Sequence, residues 1–206
     1  MTEDEVMMEY LRSCSIPEEN VIDELRTQSP EFKLFYSAEG DRIRSPILWL
    51  HNKKLRKGDQ LQPGFLAETK TFPNGYVGII IRNNPAKIGD SSTIAHELAH
   101  VIFGDEGFPR VGHYRGCEDQ EVIKLASMFS NMIHDPLVIE KLLKYGYDLR
   151  LEYAKECIDG IKKFKKRPEY SGIARIKASF LFAQSLIEYD LLFDENNNPV
   201  MNTYQK

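Results

Sequence analysis

The residues of this chain best suited to chemistry are His96 and His100, with Glu97 beside them, in the stretch DSSTIAHELAHVIFGD at 90–105. Histidines four apart on an α-helix lie one turn above each other on one face, so both imidazoles can reach a common ion from a single rigid element. Glu97 sits about 100° round the same helix from His96. Its carboxylate then falls beside such an ion, where it can hold and deprotonate a bound water. The pattern H-E-x-x-H therefore reads as a metal site that activates water.

That chemistry requires a helix with two unlike faces. Asp90, Ser91 and Ser92 all suit an N-cap, and Gly104 follows the apolar run as a candidate C′ residue. Between them Ile94, Ala95, Leu98, Ala99, Val101 and Ile102 fall on one broad arc, and His96, Glu97 and His100 on the other. The expectation is a helix with a buried back and a front that lines a cleft.

The other elements must position this helix. Residues 3–14 and 17–28 read as two short helices, with Pro17 in the first turn of the second. The run PILWLH at 46–51 reads as a buried strand, and LRKGDQLQPG at 55–64 as a polar loop. Two strand-like runs follow at 64–72 and 76–82, joined by Pro73, Asn74 and Gly75; Asn-Gly between β-prone runs signals a hairpin, because both residues tolerate positive φ. The strand nearest the metal helix would wall the cleft, and an exposed edge there would let an extended peptide add as a further strand. Beyond the helix, 118–133 reads as a helix ended by Asp135-Pro136, and helices are expected over 137–145, 149–166 and 172–192. The basic group Lys162, Lys163, Lys165, Lys166 and Arg167 sits where cations favour the negative end of a helix dipole. The tail from Asp194 is expected to be mobile. These elements predict an α+β fold: a core over 1–136, in which a small antiparallel sheet packs on the H-E-x-x-H helix, and a helical extension over 137–206 on the same domain.

Two histidines do not complete a catalytic zinc site, which usually takes three protein ligands and one water. A histidine six residues after His100 would extend the motif, but that position is Glu106. Glu121 is the leading alternative, a carboxylate on the apolar stripe of Leu125, Met128 and Met132. Glu118 lies one turn earlier on nearly the same side, and Asp119, Glu106, His113 and His134 complete the candidates. His113, His134 and Tyr114 could instead stabilise an oxyanion near the metal. Cys117 is close by in sequence but lacks ligand spacing. Zinc is the ion that two nitrogens and a carboxylate favour.

Composition narrows the function classes. At 42% hydrophobic and 28% charged the chain resembles an ordinary globular protein. Its net charge of −4 gives no general attraction to nucleic acid or an anionic membrane. No apolar run approaches the roughly 18 residues of a membrane span. The start MTEDEVMMEY is acidic, without the features of a signal peptide. Cys14, Cys117 and Cys157, odd in number and widely spaced, suit free thiols in a reducing compartment. A cytoplasmic location is the expectation.

With these residues in view, the chain resembles the zincin metallopeptidases, more narrowly the ImmA/IrrE-type family. The resemblance covers roughly residues 45–136. It rests on the strand GYVGIIIRN, the helix STIAHELAHVIFG, and EVIKLASMFSNMIHDP, which is similar to a later helix of the family. Where the family usually carries glutamates close to a Phe-Ala pair, this chain has Ile123 and Leu125. The resemblance implies zinc ligation by His96 and His100, a general-base role for Glu97, and a protein or peptide substrate, with a specific regulatory protein among the candidates. The alternative is a regulatory or interaction protein that keeps the metal site with little or no proteolytic activity. A weaker third possibility is a metal-dependent hydrolase acting on another bond.

Overall fold

Three short β-prone runs, held between helices, form the sheet that carries the candidate site. The computed structural model describes residues 2–72, 76–108, 119–150 and 172–192. The chain divides into two units, Met1–Phe108 and Pro109–Lys206. Among the described residues there are six α-helices and one three-stranded sheet. The architecture is α+β, and no helix among the described residues is long and apolar enough to cross a membrane.

The first unit begins with α1 (Glu3–Cys14), closed at its start by a capping box in which the Glu5 amide donates to Thr2 Oγ1 and the Thr2 amide to Glu5 Oε2. A short 3-10 turn, Glu18–Asn20, follows Pro17, so the second helix starts later than expected, as α2 (Ile22–Gln28). Then comes α3 (Pro30–Glu39), a helix not anticipated in the sequence reading. Its signals are present: Ser29 accepts from the Phe32 amide as N-cap, Pro30 occupies the first turn, and Phe32 and Phe35 are fully buried.

The strands are β1 (Ile47–His51), β2 (Ala67–Thr71) and β3 (Val77–Ile81). The hairpin pairing of β2 with β3 is antiparallel, as expected, although its turn at 73–75 lies outside the described residues. The sheet as a whole is mixed, which corrects the expected antiparallel arrangement. Its order is β1-β3-β2, and β1 runs parallel to β3 with Trp49 opposite Ile79. The physical reason lies in the connection: the chain from 52 to 66 carries β2 past the place where β3 inserts, so the return strand enters beside β1 in the same direction. The strand nearest the H-E-x-x-H helix in sequence is thus central, with all five residues buried, and among the described residues β2 is an edge.

The two faces of the sheet bury different helices. Leu50 and Ile80 join Met8, Leu11 and Cys14 of α1, together with Leu55 and Leu61, in one apolar cluster. Gly78 lies on the same side, where a Cβ would come within 2.5 Å of the Phe72 ring and 3.0 Å of Leu50, so only glycine fits. Cys14 is a buried free thiol that donates to the Lys54 carbonyl at 3.2 Å. The opposite face receives α4 (Ser91–Asp105), which packs on β2, β3 and α3.

The C-terminal end of α4 is fastened to the chain before β1. Asp105 accepts from the Arg44 amide at 2.7 Å, the Ser45 amide at 2.9 Å, and the Ser45 hydroxyl. Partial burial pushes the Asp105 carboxyl up, but the Ser45 donors and the amide and charge of Arg44 outweigh it and hold it below its ordinary value. A carboxyl lowered by folding stabilises the fold above its unfolded value of about 3.9, and the contribution is lost as pH falls through the folded value. Asp105→Ala is therefore expected to cost about 2 kcal/mol at neutral pH. The gap to wild type should close below about pH 4. Urea unfolding of both proteins at the two pH values measures it.

In the second unit, α5 (Gln120–Leu143) and α6 (Gly172–Leu192) pack on one another, with the Phe129 and Phe180 rings 4.1 Å apart. The expected break at Asp135-Pro136 does not occur, and the helix expected over 137–145 is the second half of α5. An internal proline forfeits a hydrogen bond and costs about 3 kcal/mol. Val138, Ile139 and Leu142 are fully buried just beyond it. Each is worth about 1.5–3 kcal/mol, enough to offset that cost. Residues 151–166 of the helix expected over 149–166, with its basic cluster, the tail from 194, and Cys117 and Cys157 lie outside the described residues.

Candidate metal centre

The candidate site grows from the two faces of α4. Ile94, Ala95, Leu98, Ala99, Val101, Ile102 and Phe103 are all buried, so the apolar back fixes the helix's rotation. His96, Glu97 and His100 are left half-buried on the front. Both helix ends are also secured. Asp90, buried at the N-cap, turns its carboxylate back to Asn83 Nδ2 and the Lys87 amide, organising the preceding loop rather than capping α4 itself. At the other end the helix passes through Gly104 instead of stopping there, and Gly107 takes the left-handed conformation at φ +81°. The Gly107 amide donates to the Gly104 carbonyl at 3.1 Å and the Phe108 amide to the Phe103 carbonyl at 2.9 Å, a Schellman closure. The Phe103 and Phe108 rings, 4.8 Å apart, supply its usual apolar contact.

On this fixed helix the two imidazoles converge. Their Nε2 atoms are 2.9 Å apart and the ring planes cross at 72°. Two nitrogens of a regular tetrahedral zinc site, each bonded at about 2.05 Å, lie about 3.3 Å apart. The observed pair needs an opening of a few tenths of an ångström, within reach of small side-chain rotations, to take one ion. The same separation also suits an N–H···N hydrogen bond between a donor and an acceptor tautomer. A single proton can thus occupy the place between the rings that a cation would take.

Glu97 is tied to the sheet. Its Oε2 accepts from the Thr69 main-chain amide of β2 at 2.8 Å, and its carbonyl accepts from Thr69 Oγ1 at 3.4 Å. One oxygen of the carboxylate is therefore held on the strand edge.

The third-ligand candidates fare differently. Glu121, expected to face inward, is half exposed in the first turn of α5 and pairs with Lys177 of α6. Asp119 is the N-cap of α5, its carboxylate accepting from the amides of Glu121 and Val122. Glu106 pairs with Arg42, and His134 is buried. His113, Tyr114, Cys117 and Glu118 lie outside the described residues.

Asp135 is half-buried on α5, and Gln184 Nε2 donates to its Oδ2 at 2.8 Å. No protein-family model, curated protein or solved structure matches this chain.

Proposed function

We propose that this protein is a zinc-dependent peptidase of the zincin kind, akin to the ImmA/IrrE-type metallopeptidases its sequence resembles, and that it works in the cytoplasm. The observation that carries the reading is the convergence of His96 and His100 at 2.9 Å with Glu97 beside them on one immobilised helix. His96 and His100 hold the ion through Nε2, and a carboxylate supplies the third donor. The sequence candidate for it, Glu121, pairs with Lys177 of α6. Zinc so bound lowers the pKa of a coordinated water toward neutral and polarises a peptide carbonyl. Glu97 accepts the proton of the attacking water and delivers it to the leaving amine. The outer edge of β2, running beside Glu97, accepts the substrate as an added strand.

Elemental analysis of the purified full chain, paired with hydrolysis of a mixed-sequence quenched peptide library, tests this. About one zinc per chain is expected, with cleavage abolished by a chelator and restored by zinc but not magnesium. Bound zinc with tight partner binding and no cleavage would favour a regulatory protein that merely retains the site.

A further inference from the structure

The bond between Glu97 and Thr69 has a consequence for how the proposed peptidase is switched on. The Phe72 amide donates to the Tyr76 carbonyl and the Arg82 amide to the Leu66 carbonyl, so residues 66 and 72 turn their main-chain groups toward β3. By alternation, Thr69 turns its amide away from β3, along the outer edge of the sheet. That edge amide is the one Glu97 Oε2 accepts from. An extended chain added to β2 needs the same donor for one of its own carbonyls.

We propose that Glu97 is parked on the Thr69 amide until an extended substrate takes that amide, releasing the carboxylate to the water beside the metal. Thr69 is then a positioning residue, acting through its main chain. It couples correct seating of a peptide to the availability of the base, and it disfavours substrates too short to span the edge. The inference rests on the peptidase reading and goes beyond it in naming what gates the base. It also accounts for a half-buried carboxylate bonded to an edge strand.

Two measurements on the full, zinc-loaded chain test it. Amide hydrogen exchange compares wild type with Glu97→Ala. The Thr69 amide should exchange at least about tenfold faster in the variant, while that of Lys70, which faces β3, should not change. Equal exchange at Thr69 in the two proteins overturns the proposal. The second measurement uses Thr69→Pro, which deletes the amide at an outward edge position where proline does not break the ladder; unchanged Lys70 protection reports its folding. Against the quenched hexapeptide library, KM should rise at least about fivefold with kcat kept within about twofold. A fall in kcat with KM unchanged would show the amide to be a permanent support of the base, and would overturn the gate. Should Thr69→Pro fail to fold, the exchange comparison still decides. Absence of any cleavage by the zinc-loaded wild type removes the peptidase reading, and the gate with it. That failure shows in the wild type; failure of the gate alone shows only in the variants.

Discussion

Glu97→Gln is expected to bind zinc as wild type does and to hydrolyse peptides at least about a thousandfold more slowly. The amide oxygen of glutamine can still accept from the Thr69 amide, so the link between α4 and β2 survives and the fold should be unaffected. What glutamine cannot do is take a proton from water or return one to the departing amine. The variant therefore separates proton transfer from metal holding, because His96 and His100 remain in place. Steady-state hydrolysis alongside elemental analysis reads both quantities. Turnover equal to wild type would refute the general-base role. Loss of zinc would show instead that Glu97 supports the site structurally.

The two imidazoles give the second large effect. His96→Ala and His100→Ala should each weaken zinc binding by at least about a hundredfold, whereas Glu121→Gln should leave it within about twofold. Both histidines stand half-buried on the front of α4, whose apolar back holds the helix in place, so the fold should survive the loss of either ring. Glu121 already has a cationic partner in Lys177, and its loss should register as a small change in stability. Competition with a chromophoric chelator measures the affinities. Wild-type affinity in either histidine variant would refute the metal site.

These expectations rest on features that differ in how far the sequence discloses them. Helix α4 was legible because all of its information is local: a histidine spacing of four and an unbroken apolar arc from Ile94 to Ile102, every member of which is buried. The β2–β3 hairpin was legible for the same reason. The parallel partnership of β1 with β3 was not, since strand order depends on how 52–66 cross the sheet, and nothing local encodes that. At Pro136 a local rule was overridden by burial of the next turn, and at Gly104 by a Schellman closure that begins three residues later. Glu121 was placed inward by its stripe, yet its partner is Lys177, 56 residues further along the chain, a distance no periodicity argument covers. The short α3, by contrast, is marked locally by its Ser-Pro start and the buried pair Phe32 and Phe35.

The open margin of β2 also bears on the solution behaviour of the protein. An unguarded strand border is a template on which identical molecules can stack into fibrous aggregates. Here the strand reads Ala-Glu-Thr-Lys-Thr, with Glu68 and Lys70 placing opposite charges two residues apart, and the Glu97 carboxylate overlies its midpoint. A second copy laid alongside would bring another such carboxylate into the same narrow space. The border thus discriminates by repulsion, shunning its own kind while remaining open to a neutral, flexible visitor.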